Sequence, residues 1–386
     1  MTRREEFLVF GQPLIEQAEI DEVVDSLRRG WLGTGPKVAR FENDFAAYKG
    51  VPAAVAVNSC TAALHLSMIA AGLGPGDEVI TSALTFCATV NAIIHAGATP
   101  VLADVDPATM CLDPQDVARR ITPRTRALVP VHFGGYPCAM REFGALAQQH
   151  GLKIVEDCAH AIETEQDGRK VGTFGDFGCF SFYATKNICT GEGGMILARA
   201  GDDRKRVKML ALHGMSADAW RRFSDDGYRH YEVEECGFKY NMMDLQAALG
   251  IHQLARVETW WLRRRALVER YRAALATLPL GFQADAPAGS RHGYHLFPIL
   301  VDPARTGLTR DAMLHAMNLR RLGTGVHYRS IAEHPYYQRT YGWQPGQWPH
   351  AMRIGRQTLS LPLSPRLTDA DVEETIAAVR EILGRG

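Results

Sequence analysis

An aspartate and a lysine follow two apolar runs of the chain, at points where side chains can reach a ligand. Asp157 ends the run KIVED, and Lys186 follows the run FSFYAT. A carboxylate at the carboxyl end of a buried strand faces the crevice in which α/β proteins bind ligands. A lysine amine becomes a nucleophile when burial or nearby positive charge lowers its pKa. Taken alone, each residue is more simply a helix cap or a solvated charge, but the two types together suit one site.

Pyridoxal phosphate is a cofactor whose chemistry requires these two residue types. Its aldehyde binds covalently to a lysine amine, and an acid beside its ring nitrogen keeps the ring protonated, so that the ring can accept electrons from the substrate. Lys186 and Asp157 meet these two needs by residue type. The sequence therefore predicts that this cofactor binds where the two runs end.

The segment NSCTAALHL offers hydrogen-bond donors for a phosphate group. Ser59, Cys60 and Thr61 lie where a predicted strand meets a predicted helix, and the first N–H groups of a helix attract anions. Ser181 offers a further hydroxyl from the run FSFY. Phe86, at the start of a predicted helix in TFCATVNA, could stack on the cofactor ring. Ordinary helix capping and a core aromatic are the simpler alternatives.

The elements that must position these residues alternate along the chain. From about residue 53 to 200, the strand-like runs AAVAVN, DEVITS, TPVLADV, RALVPVHF and LKIVED are separated by helical patterns, and GCFSFY and GGMILAR follow. This rhythm predicts an α/β fold with a mostly parallel sheet between helices. From Asp244 a long helical pattern with arginines on its polar face leads into a smaller α+β lobe.

Composition excludes several classes of protein. The 386 residues are 46% hydrophobic, which is enough for two lobes, and 43 basic side chains balance 43 acidic ones. This balance does not favour a nucleic-acid partner or an anionic membrane surface. The eight cysteines form no CxxC pair, so we predict no metal site and a reduced, cytoplasmic protein, consistent with an N-terminus that lacks a signal peptide. The uncharged stretches 51–75 and 79–103 contain polar residues and predict buried core, not membrane spans.

Nearly from end to end, the chain resembles the sugar aminotransferases of the DegT/DnrJ/EryC1/StrS family, which are fold-type-I pyridoxal-phosphate enzymes. The motifs that carry the resemblance include GWLGTGPKVARFENDFAAYKGV, EDCAHA, VGTFGDFGCFSFYATKN, GEGGM and GFKYNMMDLQAALG. The resemblance implies a large cofactor-binding domain at residues 1–250 and a small C-terminal domain at 251–386. Residues 1–36 are expected to form an N-terminal segment that packs on the small lobe.

The resemblance also implies cofactor roles residue by residue. Lys186 matches the lysine that binds the cofactor aldehyde, and Asp157 matches the partner of the ring nitrogen. Phe86 matches the stacking aromatic. His160 lies where the family usually has glutamine, near the hydroxyl of the cofactor ring. The residues that match phosphate contacts are Cys60 through its backbone, Thr61, Ala62, Ser181 and, from a partner subunit, Lys239.

For the reaction, the resemblance implies transfer of an amino group from an amino acid, with L-glutamate expected, to a ketone of a nucleotide-linked deoxysugar. A 4-keto-6-deoxy sugar is favoured. A dehydratase branch of the family has histidine in place of the lysine, so Lys186 favours transamination. Gly33 and Thr34 match a loop near the sugar, and His327 and Arg329 match a segment near the nucleotide. The expected assembly is a homodimer with shared active sites.

Other functions stay open at this point. A keto-inositol or another cyclic ketone would use the same cofactor residues as a nucleotide-linked sugar. A regulatory protein that retains the fold would have no need of Asp157 and Lys186. A nicotinamide-dependent dehydrogenase is disfavoured, because VNSCTAAL stands where a GxGxxG motif would follow the first strand.

Overall fold

The computed structural model describes residues 4–216 and 230–384. Within these ranges the α-helices are α1 (Gln17–Arg29), α2 (Pro36–Lys49), α3 (Cys60–Ala70), α4 (Cys87–His95), α5 (Pro114–Arg120), α6 (Met140–His150), α7 (Gly201–Leu210), α8 (Asp244–Ala255), α9 (Val257–Leu275), α10 (Pro303–Thr306), α11 (Arg310–Leu319), α12 (Pro335–Tyr341), α13 (Pro349–Gln357) and α14 (Asp369–Ile382). The strands are β1 (Val55–Val57), β2 (Glu78–Ser82), β3 (Thr99–Ala103), β4 (Thr125–Val129), β5 (Lys153–Asp157), β6 (Glu165–Gln166), β7 (Arg169–Lys170), β8 (Phe177–Ser181), β9 (Gly194–Ala198), β10 (Gly281–Phe282), β11 (Phe297–Leu300) and β12 (Thr358–Leu361).

Seven strands form the large sheet, in the order β1-β9-β8-β5-β4-β2-β3. Strand β9 runs antiparallel to both of its neighbours, whereas the other adjacent pairs are parallel. The predicted α/β fold with a mostly parallel sheet is thereby confirmed. Strand β5 lies near the middle of the sheet, between β4 and β8, so its carboxyl end opens at the centre of one sheet edge. Ligands of such sheets bind at this edge.

The uncharged stretches form the interior of the large lobe. Residues 51–75 form β1 and α3, and residues 79–103 form most of β2 together with α4 and β3. Most of the apolar side chains of both stretches are buried. Strands β2, β8 and β9 are buried at every residue, and the sequences of β8 and β9 accordingly contain no charged residue and do not alternate between apolar and polar side chains. Among the helices in the described ranges, none combines the length and the apolar character that crossing a bilayer requires.

The C-terminal lobe is built on the three-stranded antiparallel sheet β10-β11-β12. Helices α9, α11 and α14 supply the apolar side chains that cover it. The hydroxyl of Thr368 caps α14 by accepting a hydrogen bond from the N–H of Asp371 at 3.1 Å. The sequence predicts one long helix from Asp244, but the chain breaks it into α8 and α9 at Arg256. No glycine or proline marks this break, so tertiary contacts determine it.

The two predicted domains share several elements. Their predicted division, between residues 250 and 251, lies inside α8. Leu8 hydrogen-bonds to Arg321 and Gly323 of the small lobe at 2.9 and 2.8 Å, while α1 packs against α8. Side chains of Ile331 and Trp348 lie in the core beside the large sheet. The division itself therefore stays a prediction.

Candidate active site

A cavity of about 530 Å³ opens at the carboxyl end of β5. Its wall brings together the end of the large sheet, the first turns of α3 and α4, and the segment around residue 327. The lining residues are Phe10, Ser59, Cys60, Thr61, Leu64, Thr85, Phe86, Ala88, Thr89, Val131, Asp157, Ala159, His160, Ser181, Tyr183, Thr185, Lys186, Glu192, His295, His327 and Tyr328. The volume and the mixed apolar and polar wall are typical of a small-molecule site.

Asp157 is the last residue of β5 and lies buried in the cavity wall. Its Oδ2 accepts a hydrogen bond from the Thr89 hydroxyl at 2.8 Å, and its Oδ1 accepts one from the N–H of Ala159 at 3.1 Å. Thr85 lies 2.8 Å from Thr89 and completes the chain of hydroxyls. Burial raises the pKa of Asp157, and these hydrogen bonds and the nearby Lys186 oppose the rise without cancelling it. A cation placed beside this carboxylate would be strongly stabilised.

Lys186 lies in the turn that follows β8, where its backbone N–H donates to the carbonyl of Tyr183 at 2.8 Å. Removal of the charged amine from water lowers the pKa of Lys186 to about 8, against the weaker opposing influence of Cys60 and Asp157. Its Nζ makes no hydrogen bond and no ion pair within the described part of the chain. A large fraction of this amine is therefore neutral near pH 8, as a nucleophile or a general base must be.

The start of α3 offers backbone donors to an anion. Ser59 caps the helix: its hydroxyl accepts from the N–H of Ala62 at 3.1 Å and its carbonyl from Ala63 at 3.0 Å. The N–H groups of Cys60 and Thr61 have no partner in the described ranges. Gly194 of β9 lets this turn approach the sheet, since a Cβ there would lie 2.6 Å from the carbonyl of Ser59. The turn is therefore a ready site for a phosphate.

Aromatic rings and histidines cover the other side of the cavity. Phe86 is 56% exposed although it is a large apolar residue, and its ring centroid lies 5.7 Å from that of Tyr328. The ring of His160 lies 5.9 Å from that of Tyr328 in a stacked arrangement, and its Nε2 lies 3.0 Å from the tyrosine hydroxyl. A flat ligand ring beside Phe86 would cover apolar surface that is now open to water.

Of the residues predicted for the cofactor and substrate, nine line this cavity: Ser59, Cys60, Thr61, Phe86, Asp157, His160, Ser181, Lys186 and His327. The other predicted residues lie outside its wall in the subunit described. The N–H of Ala62 is already bound to Ser59, and Lys239 is exposed. The carbonyl of Gly33 accepts from the N–H of Asp244 at 2.8 Å, and Thr34 bonds to Asn241 at 2.6 Å. Arg329 is an exposed residue 3.9 Å from Glu333. The roles assigned to all these residues stay predictions.

Sequence reasoning missed eight polar or aromatic residues of the wall: Phe10, Thr85, Thr89, Tyr183, Thr185, Glu192, His295 and Tyr328. Thr89 lies on α4, three positions after Phe86, the residue that precedes this helix, so helical periodicity could have placed both on one face. Tyr328 adjoins His327, which was predicted. His295 is an exception, because it lies two residues before the small-lobe strand β11 and no local pattern connects this segment with a site at the end of the large sheet.

Comparison with known proteins agrees with this geometry. Residues 13–380 match the model of the DegT/DnrJ/EryC1/StrS aminotransferase family. The chain belongs to this family. It is 48% identical over 382 residues to the spore coat polysaccharide biosynthesis protein SpsC of Bacillus subtilis, covering 99% of this chain and 98% of SpsC.

Two solved structures extend the comparison. Spr1654 of Streptococcus pneumoniae, solved in a PLP form, superposes with a TM-score of 0.90 at 30% identity over 98% of this chain and 99% of that one. DesI, solved in the presence of its TDP-sugar product, superposes with a TM-score of 0.88 at 33% identity, covering 100% and 95% of the two chains. This chain is accordingly a sugar aminotransferase that depends on pyridoxal phosphate.

The cavity fits this cofactor. Lys186 supplies a free amine with a lowered pKa, Asp157 a buried carboxylate, and the start of α3 unpartnered N–H groups for the phosphate. Phe86 supplies exposed aromatic surface for the ring. These are the four features that the cofactor requires.

Proposed function

We propose that the enzyme transfers the amino group of L-glutamate to a ketone of a nucleotide-linked deoxysugar, and that a 4-keto-6-deoxy sugar is its substrate. The observation that carries the proposal is that Lys186 and Asp157 share one cavity, whose wall continues past them to His327, Tyr328 and Glu192. The likeness to DesI, which was solved with its TDP-sugar product, supports the nucleotide. The eight cysteines are free thiols, which supports the predicted cytoplasmic location.

Lys186 carries the proton transfers of this mechanism. When bound, pyridoxal phosphate supplies an electron sink for the substrate carbon that loses a proton. Because the pKa of Lys186 is about 8, its amine can take a proton from that carbon and return it elsewhere at neutral pH. The amine makes no hydrogen bond in the described residues, so the side chain is free to move between the two positions.

Asp157 holds a fixed negative charge at the sheet edge. The hydrogen bonds from Thr89 and Ala159 orient both of its oxygens, and burial excludes the water that would screen the charge. A protonated ring nitrogen beside this carboxylate would remain protonated throughout the reaction. Cys60 and Thr61 would hold the phosphate at the start of α3, and Ser181 would add its hydroxyl from β8.

A homodimer would complete the site. Several large apolar side chains are exposed in the described subunit, among them Trp31, Leu32 and Met243, and such surface suits a contact with a second copy. Lys239 is exposed and bonds through its carbonyl to the Asn58 side chain at 3.4 Å, just before α3. We propose that the Lys239 ammonium reaches the phosphate of the neighbouring subunit.

A panel of ketones tests the substrate. The holoenzyme is first converted to its amine form with L-glutamate, and the return of the aldehyde absorbance is then followed with nucleotide-linked 4-keto and 3-keto sugars and with a keto-inositol. We expect the 4-keto-6-deoxy sugars to restore the aldehyde form fastest. Restoration by the keto-inositol alone would contradict the proposal and assign the enzyme to cyclic polyol ketones.

Hybrid dimers test the shared site. Lys186→Ala and Lys239→Ala subunits, each poorly active alone, are mixed under conditions that allow subunit exchange. A site that takes Lys186 from one chain and Lys239 from the other would be intact in one half of each hybrid, so part of the activity should return. No return of activity despite proven exchange would show that Lys239 does not act across subunits.

A further inference from the structure

Behind Lys186, buried polar side chains form a chain that runs from α9 to the cavity wall. Arg264 and Glu163 are both almost fully buried and form an ion pair. The second oxygen of Glu163 accepts a hydrogen bond from Asn187 Nδ2 at 2.6 Å. Asn187 Nδ2 also donates to the carbonyl of Gly293 at 3.1 Å. Because both of these partners can only accept, the Asn187 amide has a single possible orientation.

This orientation determines which nitrogen of His295 carries the hydrogen. Asn187 Oδ1 lies 2.9 Å from His295 Nδ1, and a carbonyl oxygen can only accept a hydrogen bond. His295 therefore carries its hydrogen on Nδ1, which leaves a lone pair on Nε2 of the neutral ring. Burial, together with nearby Lys186 and His327, lowers the pKa of His295 well below its ordinary value, so the ring is neutral at physiological pH.

His295 Nε2 is open to the cavity. The residue lines the cavity, and within the described residues Nε2 has no hydrogen-bond partner. Although Nε2 has no protein partner, it does not belong to the fully buried polar atoms of the described chain. Part of its surface is therefore accessible, and a ligand can reach it.

His160 presents the opposite case, although its ring centroid lies only 4.5 Å from that of His295. Its Nδ1 accepts from the N–H of Gly134 at 3.2 Å, so its hydrogen is on Nε2 and is directed to the Tyr328 hydroxyl at 3.0 Å. Both nitrogens of His160 thus have protein partners. Of this pair of imidazoles, His295 is the one with a free acceptor.

We propose that His295 determines specificity for the sugar by accepting a hydrogen bond from one of its hydroxyl groups at Nε2, and that Asn187 and Glu163 are positioning residues for this ring. The inference rests on the proposed function, because it takes the acceptor to be a keto sugar. A lone pair attracts a hydroxyl hydrogen and repels the oxygens of a carboxylate. The contact therefore favours the sugar over the amino-acid donor, which has two carboxylates.

A matched pair of variants tests this role in the holoenzyme. His295→Asn can keep a polar group near Nδ1 for Asn187 but removes the nitrogen that faces the cavity. His295→Gln can place an amide oxygen near the position of Nε2. The two half-reactions are followed separately by cofactor absorbance, first with L-glutamate and then with the keto sugar. The glutamate half-reaction serves as an internal control for folding and cofactor binding.

We expect His295→Asn to slow the sugar half-reaction by about 10- to 100-fold, mainly through KM, because the loss of a hydrogen bond to a neutral partner has this size. The glutamate half-reaction should change by less than about threefold, and His295→Gln should recover part of the loss. An equal loss in both half-reactions would overturn the inference alone. A wild-type enzyme that reacts with glutamate but with no keto sugar would overturn the proposed function and this inference with it.

Binding without turnover gives a second readout. The amino-sugar product and its monodeoxy analogues are titrated calorimetrically into the amine form of the wild type and of His295→Asn, which has no aldehyde for the amine of the sugar to react with. In the wild type, one analogue should bind about tenfold or more weakly than the parent product, and His295→Asn should bind this analogue and the parent equally well. If the variant discriminates against every analogue as the wild type does, no hydroxyl bonds to His295 and the inference is wrong.

Discussion

Two lysines of the large lobe have the same lowered pKa, about 8, in opposite surroundings. Lys49 is buried, and its Nζ donates to the carbonyls of Ile162 at 2.8 Å and Val171 at 3.0 Å and lies 4.4 Å from the ring centroid of Phe180. Lys186 Nζ has no such partner in the described residues. Desolvation therefore lowers the pKa of both lysines, but only Lys49 has its ammonium hydrogen-bonded to the protein, whereas the amine of Lys186 is available to a ligand.

The cavities beside the two lysines differ in the same way. The cleft beside Lys49 is the larger, at about 620 Å³ against about 530 Å³. Its acid, Asp176, already accepts from the N–H of Ile154 at 2.9 Å and pairs with Lys153. Among the residues that line it there is no helix start with open N–H groups. Neither volume nor a lowered pKa identifies the site; the free amine, the oriented carboxylate and the helix start do so together.

Consecutive carboxylates of β5 repeat the contrast. Glu156 is fully buried and accepts from the N–H groups of Gly172 and Gly175 at 2.7 and 2.6 Å and from His132. Burial opposes ionisation, but these donors outweigh it and lower the pKa of Glu156. His132 and Glu156 also approach Cys158 as a possible metal-binding group, yet the same hydrogen bonds occupy both residues. Asp157 has fewer donors, and its pKa is raised.

The sharpest test of the lysine contrast exchanges each amine for an apolar group. Lys186→Ala should reduce aminotransfer by at least about 10³-fold and abolish the visible absorbance of the bound cofactor, because it removes both the covalent attachment and the base. Lys49→Met should leave turnover within about threefold, since Lys49 bonds only to backbone carbonyls. Steady-state kinetics and cofactor spectra of the two purified variants provide the measurement. Comparable losses in both would show that the available amine is not what distinguishes the site.

The carboxylate contrast predicts a separation of activity from stability. Asp157→Asn should reduce kcat by about 10²- to 10³-fold, because a neutral amide cannot hold a cation at the sheet edge. Since burial raises the pKa of Asp157, the free energy of unfolding of this variant without cofactor should not fall.

Glu156→Gln is the matched control for that separation. Its amide NH₂ group would face one of the N–H groups of Gly172 and Gly175, which both need an acceptor. The variant should therefore lose about 2 to 4 kcal/mol of stability, while the folded fraction keeps most of its kcat. Urea unfolding and kinetics at saturating substrate give the two quantities. A stable but inactive Glu156→Gln enzyme would reverse the assignment of the two carboxylates.

Local sequence is sufficient for the part of the site that lies at strand ends. Asp157 and Lys186 could be predicted because each follows a continuous apolar run, and Ser59 to Thr61 because a strand turns directly into a helix. The parallel order of the large sheet also follows from the regular alternation of strands and helices. Each of these inferences depends on residues that are close neighbours in the chain.

The missing parts depend on contacts between distant residues. Thr89 and Asp157, which bond in the cavity, are 68 positions apart, and Asn187 and His295 are 108 apart. The break at Arg256 is likewise invisible in a continuous helical pattern; its guanidinium bonds to Glu16 and Glu19, far along the chain. Only tertiary packing brings these groups together, and at Arg256 it outweighs the helix propensity of the local sequence.

The smallest expected effect concerns pH. In the protein without cofactor, both lysines have a folded pKa of about 8 against an ordinary value of 10.5. Between these pH values the unfolded chain binds more protons than the folded chain, so each lysine makes the free energy of unfolding of the wild type rise as the pH increases from about 8 to 10.5. A lysine-to-methionine variant lacks this rise. For Lys186→Met and Lys49→Met alike, the stability relative to wild type should fall by about 2 kcal/mol between pH 7 and pH 10. The two variants should differ in the stability that they lose at any given pH, which is the offset between their stability curves and that of the wild type. Only Lys49→Met leaves two buried carbonyls without donors, so it should be the less stable variant at every pH. Urea unfolding across this range measures both slope and offset, and equal offsets would mean that Lys186 is as firmly hydrogen-bonded as Lys49.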